Sequence, residues 1–301
     1  MKSIINVVDR KRWGLQEHAH AVDLFSHQAG YSSKTYSVFD ADGLNFFKLL
    51  QEENSTIIIW SLGLCALLIP LLRMKNKVIF ICHEPGGLKQ RFKKKDGFFY
   101  SLYVSSYELL MHLSNQIATP NKINAKKYNL KYLPLLYKPV SSFGKLPTKN
   151  LSKFCIYYLG RLDDRRGSKI FLELKRKFSD IYDFRFFPNE DISPSELNKV
   201  SFTRNRGCIF NFYQINHNQS GVTGDALRLG LPVIVSNLDF IFEDIKHFKL
   251  GKVIDFNETN LAKFIDAINE LNSRTEFDEI FYYYNNNFGK KAFDSFWDEA
   301  I

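Results

Sequence analysis

Apolar residues in this chain gather in short continuous blocks, and between the blocks they recur every three or four positions. Ile4–Val8, Tyr36–Phe39, Thr56–Trp60, Lys77–Cys82 and the run "QIATP" ending at Pro120 read as strands. Glu17–Gly30, Leu44–Leu50 and Leu64–Leu72 have helical spacing, the first closing at Gly30. Pro134–Pro147 is rich in Pro, Ser, Gly and Lys and reads as a connection. The alternation then restarts. Phe154–Leu159, Phe184–Phe187, Cys208–Phe212 and Pro232–Ser236 are the strands, and Ser168–Phe178, Ser195–Val200, Thr223–Leu229 and Leu261–Leu271 the helices. Strands that are apolar throughout and alternate with helices predict parallel sheets covered on both faces. The chain is therefore two α/β halves in series, 1–140 and 151–301, with 141–150 as the linker. The sequence has no internal repeat, and "YYYNNN", Tyr282–Asn287, reads as its one low-complexity stretch.

Length and composition sharpen this picture. At 301 residues the chain is long for one core and suits two domains. Residues 1–140 carry 19 Lys and Arg against 10 Asp and Glu, whereas residues 141–301 carry 22 of each. The whole excess of +9 thus sits in the first half, as a field suited to an anionic surface. Cys65, Cys82, Cys155 and Cys208 each lie in an apolar run without CxxC spacing, the pattern of buried, reduced thiols in a cytosolic protein. The start, "MKSIINVVDRKRW", has no secretory h-region, and the most apolar window, Ile57–Leu72, is short for a membrane span and contains Pro70.

Ligands of such folds lie at the C-terminal ends of the strands. The first loop there, "DRKRWGLQEH", has neither GxGxxG nor a P-loop, which argues against a dinucleotide dehydrogenase or an NTPase. "YYLGRLDDRRGSKIFLEL", Tyr157–Leu174, is more telling. A strand runs into Gly160, and Arg161, Arg165, Arg166 and Lys169 crowd the short connection to the next helix. Four cations there point to an anion; the plain alternative is a basic surface turn. In "NQSGVTGDALRLGLPVIVSN", Asn218–Asn237, small residues precede a helix expected to begin near Thr223. Main-chain N–H groups at Ser220, Gly221 and Val222 suit phosphates, and Asp225, placed in the first turn, suits a cap or a sugar hydroxyl.

In this order and about sixty residues apart, "GRLDDRRG" and "SGVTGDALRLGLPVIVS" resemble the donor-binding half of GT-B glycosyltransferases of the retaining, family-4-like group, of the bacterial cell-surface polysaccharide type. The resemblance implies two Rossmann-like domains with parallel sheets facing a central cleft. Residues 1–140 would bind the acceptor and 151–301 the nucleotide-sugar, the last helix packing back on the first domain. It implies that Arg161 and Arg166 grip the donor diphosphate, Arg166 standing before Gly167 where the family has lysine. Asp225 takes the position of the ribose-binding second acid of the family's E-x7-E segment. His217 stands in place of the first acid, a departure that leaves that role open. Gly14 matches the family's first loop, at the cleft, which implies a donor-binding position, and His83 in "VIFICHEPGG" matches the histidine facing the transferred sugar.

The resemblance therefore implies a hexosyltransferase that needs no metal or other cofactor. Its donor is a nucleotide-diphosphate sugar, and its acceptor a glycan on a lipid carrier, of O-antigen or capsule type. Lys89, Arg91, Lys93, Lys94 and Lys95, followed by Phe98, Phe99, Tyr100, Tyr103 and Tyr107, suit an anionic bilayer beside the acceptor site. A solvated loop beside a core helix is the plain alternative. The expected place is the inner face of the cytoplasmic membrane, as a peripheral protein, with no nucleic-acid partner. Other readings stay open: a metal-dependent GT-A enzyme using Asp40 and Asp42, a GT-B nucleotide-sugar epimerase, or a non-catalytic GT-B scaffold. "EHAH", Glu17–His20, reads as helix surface, since positions two apart point to different faces.

Overall fold

The structure, a computed structural model, describes residues 2–9, 13–38, 44–60, 69–83, 109, 111–139, 153–187, 207–214, 221–274 and 278–301. The chain divides into two compact units, one of Met1–Lys138 with Asn287–Ile301, the other of Pro139–Asn286.

In the first unit the strands are β1 (Ser3–Asp9), β2 (Ser32–Val38), β3 (Ser55–Ile59), β4 (Lys77–Ile81), β5 (Gln116–Thr119) and β6 (Lys131–Tyr132). They form one sheet in the order β2-β1-β3-β4-β5-β6, with every pairing parallel. The helices are α1 (Trp13–Gln28), α2 (Leu44–Leu50), α3 (Ile69–Arg73) and α4 (Lys122–Tyr128). Ile5, Val7, Ile57, Ile59, Val78 and Phe80 make the core on one face. β3 is buried at every position, which is why it reads as an unbroken apolar run.

In the second unit β7 (Cys155–Leu159), β8 (Asp183–Phe187), β9 (Gly207–Asn211), β10 (Val233–Ser236) and β11 (Gly251–Ile254) form a parallel sheet in the order β11-β10-β9-β7-β8. Its helices are α5 (Ser168–Phe178), α6 (Gly221–Arg228), α7 (Phe242–His247), α8 (Leu261–Asn272) and α9 (Asp278–Asn287). One face is an aromatic core in which Phe171 packs on Phe184 and Phe210, and Phe264 on Phe210 and Phe212. Strand order reverses between β1 and β3 in the first sheet and between β7 and β9 in the second. At such a point adjacent connections leave in opposite directions and open a crevice beyond the strand ends.

Several expectations change. The connection does not begin at Pro134: Leu133, Leu135, Leu136 and Tyr137 are buried, and Tyr137 N–H donates to Phe288 O at 3.0 Å. Apolar side chains hold this stretch in the first unit's core, whatever its proline suggests. "YYYNNN" is not low-complexity chain but part of α9, where Ile280, Tyr283 and Tyr284 face inward at helical spacing. The chain's last residues continue through α10 (Lys290–Ala292) and a π-helical turn, Phe293–Trp297. Trp297 is fully buried, stacks on Trp60 with centroids 5.6 Å apart and donates to Pro134 O at 3.0 Å. His18 is buried as well, with Nδ1 2.8 Å from Leu136 O and the ring edge-on to Tyr137, so "EHAH" is half core. Cys82, Cys155 and Cys208 are buried thiols, and Cys65 lies outside the described residues. Among the described residues no helix is long and apolar enough to cross a membrane.

Candidate functional site

The loop between β7 and α5 leaves the sheet at the reversal of strand order. β7 ends in Gly160 at φ 94°, which turns the chain out of the strand where L side chains are strained. A short 3-10 turn, Asp164–Arg166, follows, and Gly167 at φ 72° starts α5. A Cβ on Gly167 would stand 2.8 Å from Phe212 O, so the loop presses on the end of β9. Gln214 N–H completes that contact by donating to Arg165 O at 2.8 Å.

The four cations are not equivalent. Asp163 caps the 3-10 turn by accepting from Arg165 N–H at 2.9 Å, and its carboxylate also takes Arg165 Nε and Nη2. The Arg165 guanidinium holds the Asp163 carboxyl at about 2, well below the usual range. Lys169 pairs with Asp164 at 2.8 Å, and the Asp164 carboxyl is lowered chiefly by that hydrogen bond. The expectation that all four face an anion is therefore corrected: Arg165 and Lys169 fold the loop. Arg161 is exposed, with its carbonyl 3.4 Å from Tyr158 Oη. Arg166 lies with its guanidinium carbon 5.7 Å from the centre of the Tyr213 ring, and a Cβ on Gly160 would be 3.1 Å from its Nη1. Burial pushes the Tyr158 phenol up to about 12, against a smaller opposing effect of Arg166. Arg161 and Arg166 thus occupy the C-terminal edge at the switch point, Arg166 between a glycine backbone and an aromatic face.

The second element is α6. It starts at Gly221, not near Thr223, so Asp225 lies beyond the first turn and cannot cap the helix. Thr223 Oγ1, in the helix's first turn, accepts from Asn211 Nδ2 at 2.9 Å and donates to Asp239 Oδ2 at 2.8 Å. These three side chains are buried and tie the first turn of α6 to the ends of β9 and β10. Burial raises the Asp239 carboxyl to about 6, against the hydrogen bonds from Thr223 and Ile241 N–H that favour its anion. Asp225 Oδ1 pairs with the buried Arg228 at 2.8 Å, which fixes the carboxylate on the helix. Gly221 and Val222 stand in the first turn, exposed and half-buried. His217 and Ser220 lie outside the described residues.

In the first unit His83 follows β4 at the C-terminal edge of that sheet, half-buried, with Nε2 3.2 Å from Trp60 O. Trp60 Nε1 donates to Asn6 Oδ1 at 2.8 Å, so the histidine leans on a buried hydrogen-bonded array. Gly14 is not in a loop but in the first turn of α1, because the helix begins at Trp13, ahead of the amphipathic stretch that marked it. Lys89, Arg91, Lys93, Lys94, Lys95, Asp40 and Asp42 all lie outside the described residues. Tyr213, Asn211 and Asp239 were missed in the sequence. Their signal was faint: an asparagine closing an apolar strand with a tyrosine two residues on, and an aspartate just past the next strand.

No protein-family model matches the chain, and no curated protein matches it in sequence. Solved structures do match in fold. HepE of Anabaena in complex with UDP-glucose superposes with a TM-score of 0.67 at 10% identity, covering 100% of this chain and 99% of that one. Sucrose-phosphate synthase of Thermosynechococcus elongatus gives 0.66 at 10% identity over 100% and 98%. WaaG, a glycosyltransferase involved in lipopolysaccharide biosynthesis, gives 0.52 at 11% identity over 99% and 98%. With two parallel sheets in separate units, the chain has the GT-B fold. That removes the GT-A reading of Asp40 and Asp42.

Proposed function

We propose that this protein is a glycosyltransferase that moves a hexose from a nucleotide-diphosphate sugar to a glycan acceptor. The observation that carries the reading is the Arg161–Arg166 loop at the strand-order reversal of the second GT-B unit. A diphosphate there meets two guanidiniums, which also offset the charge that grows on it as the glycosidic bond breaks. α6 supplies its first-turn N–H groups at Gly221 and Val222 and, with His217 and Ser220 before it, lines the donor; Asp225 orients the ribose. Gly14 and His83 belong to the acceptor unit, His83 positioning the transferred hexose. HepE binds UDP-glucose, which makes a UDP-sugar the first donor to try.

The finer reading is a retaining, metal-independent reaction in which the acceptor hydroxyl attacks from the face the phosphate leaves. The acceptor is a lipid-linked precursor of O-antigen or capsule type, met at the inner face of a bacterial cytoplasmic membrane through Lys89, Arg91, Lys93, Lys94 and Lys95. WaaG's part in lipopolysaccharide biosynthesis supports that acceptor class.

The test begins with a panel of nucleotide-sugars scored by thermal stabilisation; a ligand at a hundred times its Kd adds about 2.7 kcal/mol. The stabilising donor is then incubated with lipid-linked glycans, with and without EDTA, and the product anomer read by NMR. Transfer with the donor's anomeric configuration kept is the expected result. Turnover without acceptor would make the protein an epimerase, and binding without turnover a scaffold. A panel with no stabilising member would sink the donor site itself.

A further inference from the structure

Arg166 is a cation of the loop set against an aromatic face. Tyr213 lies two residues past β9 and is buried, and its ring centre is 5.7 Å from the guanidinium carbon. The Gly160 backbone passes so close to the guanidinium that a Cβ would come within 3.1 Å of Nη1, and the Arg166 main-chain N–H fixes the start of the side chain by donating to Asp163 O at 2.8 Å. The loop is in turn pinned to the residue after Tyr213 by Gln214 N–H on Arg165 O. The backbone segments that carry the ring and the guanidinium are therefore tied to each other, and the two groups meet through space.

We infer that Tyr213 is a positioning residue that holds the Arg166 guanidinium at the strand end and makes this position selective for arginine over lysine. The inference rests on the donor-site reading above. A guanidinium is planar, weakly hydrated and stacks on a ring while its edge N–H groups still reach a diphosphate. An ammonium is a compact, strongly hydrated point charge on a flexible stem, and it gains less from the same face. Charge alone would let Arg166→Lys pass almost unnoticed. A guanidinium seated on the ring face would not.

The experiment compares the parent with Arg166→Lys, Tyr213→Phe, Tyr213→Leu and the double variant Arg166→Lys/Tyr213→Leu, with UDP affinity measured by calorimetry. Tyr213→Phe keeps the ring and should bind within about twofold of the parent; Tyr213→Leu and Arg166→Lys should each weaken UDP by about tenfold. The double variant should be no weaker than either single one, since both remove the same stacked contact. Multiplied losses of about a hundredfold, or full affinity in Tyr213→Leu, would overturn the inference. A second readout needs neither UDP nor a folded leucine variant. In the parent, NMR of the Arg166 side chain, assigned with Arg166→Lys, should show a ring-current shift that Tyr213→Phe preserves. Random-coil shifts for Arg166 would overturn the inference whatever the ligand. A shifted Arg166 in a protein that binds no UDP would leave the stacking intact and count against the donor reading instead.

Discussion

Arg165 and Lys169 have carboxylate partners within the loop they share with Arg161 and Arg166, and those pairs show which substitutions should leave turnover alone. Arg161→Ala and Arg166→Ala are each expected to cost about 2–4 kcal/mol of transition-state stabilisation, read from kcat/KM with the donor identified above. Near-parental turnover in both would remove the diphosphate role. Lys169→Ala breaks only an exposed pair with Asp164, an interaction of about 0–1 kcal/mol, and should leave turnover unchanged. The two glycines of the loop make a complementary pair of tests. Gly167→Ala forces a Cβ against the main chain of Phe212 at φ 72°, where the left-handed backbone alone costs about 1–2 kcal/mol, so the urea midpoint should fall clearly. Gly160→Ala meets only the tip of Arg166, a flexible side chain that can move away. It carries the backbone strain too, but its distinguishing effect should be a loss of donor affinity as Arg166 is displaced. Equal donor affinity in Gly160→Ala and Gly167→Ala would break this argument.

At the scale of elements, α6 is held by a buried carboxyl with no charged partner among the causes of its shift. Asp239 titrates near 3.8 in the unfolded chain and at about 6 in the native one. Between those values the unfolded chain has released its proton while the native protein keeps it. The contribution to stability is full below about 3.8 and is lost as pH rises through about 6, by roughly 3 kcal/mol at most. Chemical denaturation at pH 4, 5, 6 and 7 should show the parent losing stability relative to Asp239→Asn across that window. A constant difference between the two proteins would mean that Asp239 does not titrate there. This element also shows how far the sequence could be read. α5 was legible to the residue, because glycine precedes it and Ile170, Phe171 and Leu174 repeat at helical spacing. The anchoring of α6 was not, since Thr223 in its first turn meets Asn211 at the end of β9 and Asp239 beyond β10, a contact local spacing cannot carry. β11 escaped notice for a related reason: four residues with only Ile254 buried give no alternation to detect. Of the site, Arg161 and Arg166 were visible as charges, but the neutralisation of Arg165 and the ring of Tyr213 were not: the first depends on the 3-10 turn that brings Asp163 onto Arg165, the second on folding the loop against the end of β9.

For the molecule as a whole, charge is the property that survives every change of boundary. The unit of Met1–Lys138 and Asn287–Ile301 carries 21 Lys and Arg against 13 Asp and Glu, while Pro139–Asn286 carries 20 against 19. Moving the last residues into the first unit leaves the excess where the sequence put it. A field of one sign over one unit orients a protein toward an anionic surface, and the orientation weakens as salt shortens the screening length from about 30 Å at 0.01 M to about 8 Å at 0.15 M. The largest single contribution is the run from Lys89 to Lys95, five basic residues in seven positions. The membrane hypothesis makes that run the contact and the remaining excess the steering field. Replacing Lys93, Lys94 and Lys95 with glutamine should then weaken binding to vesicles rich in anionic lipid by about 1 kcal/mol per charge. Replacing Lys175, Arg176 and Lys177, on α5 of the near-neutral unit, should change it little, although the same number of charges is lost. The comparison separates a located contact from a general pull on a basic protein. Sedimentation with vesicles at low and physiological salt reads it directly. Equal losses from the two triple variants would assign the attraction to net charge alone, and no loss from the first would remove Lys93, Lys94 and Lys95 from the membrane surface.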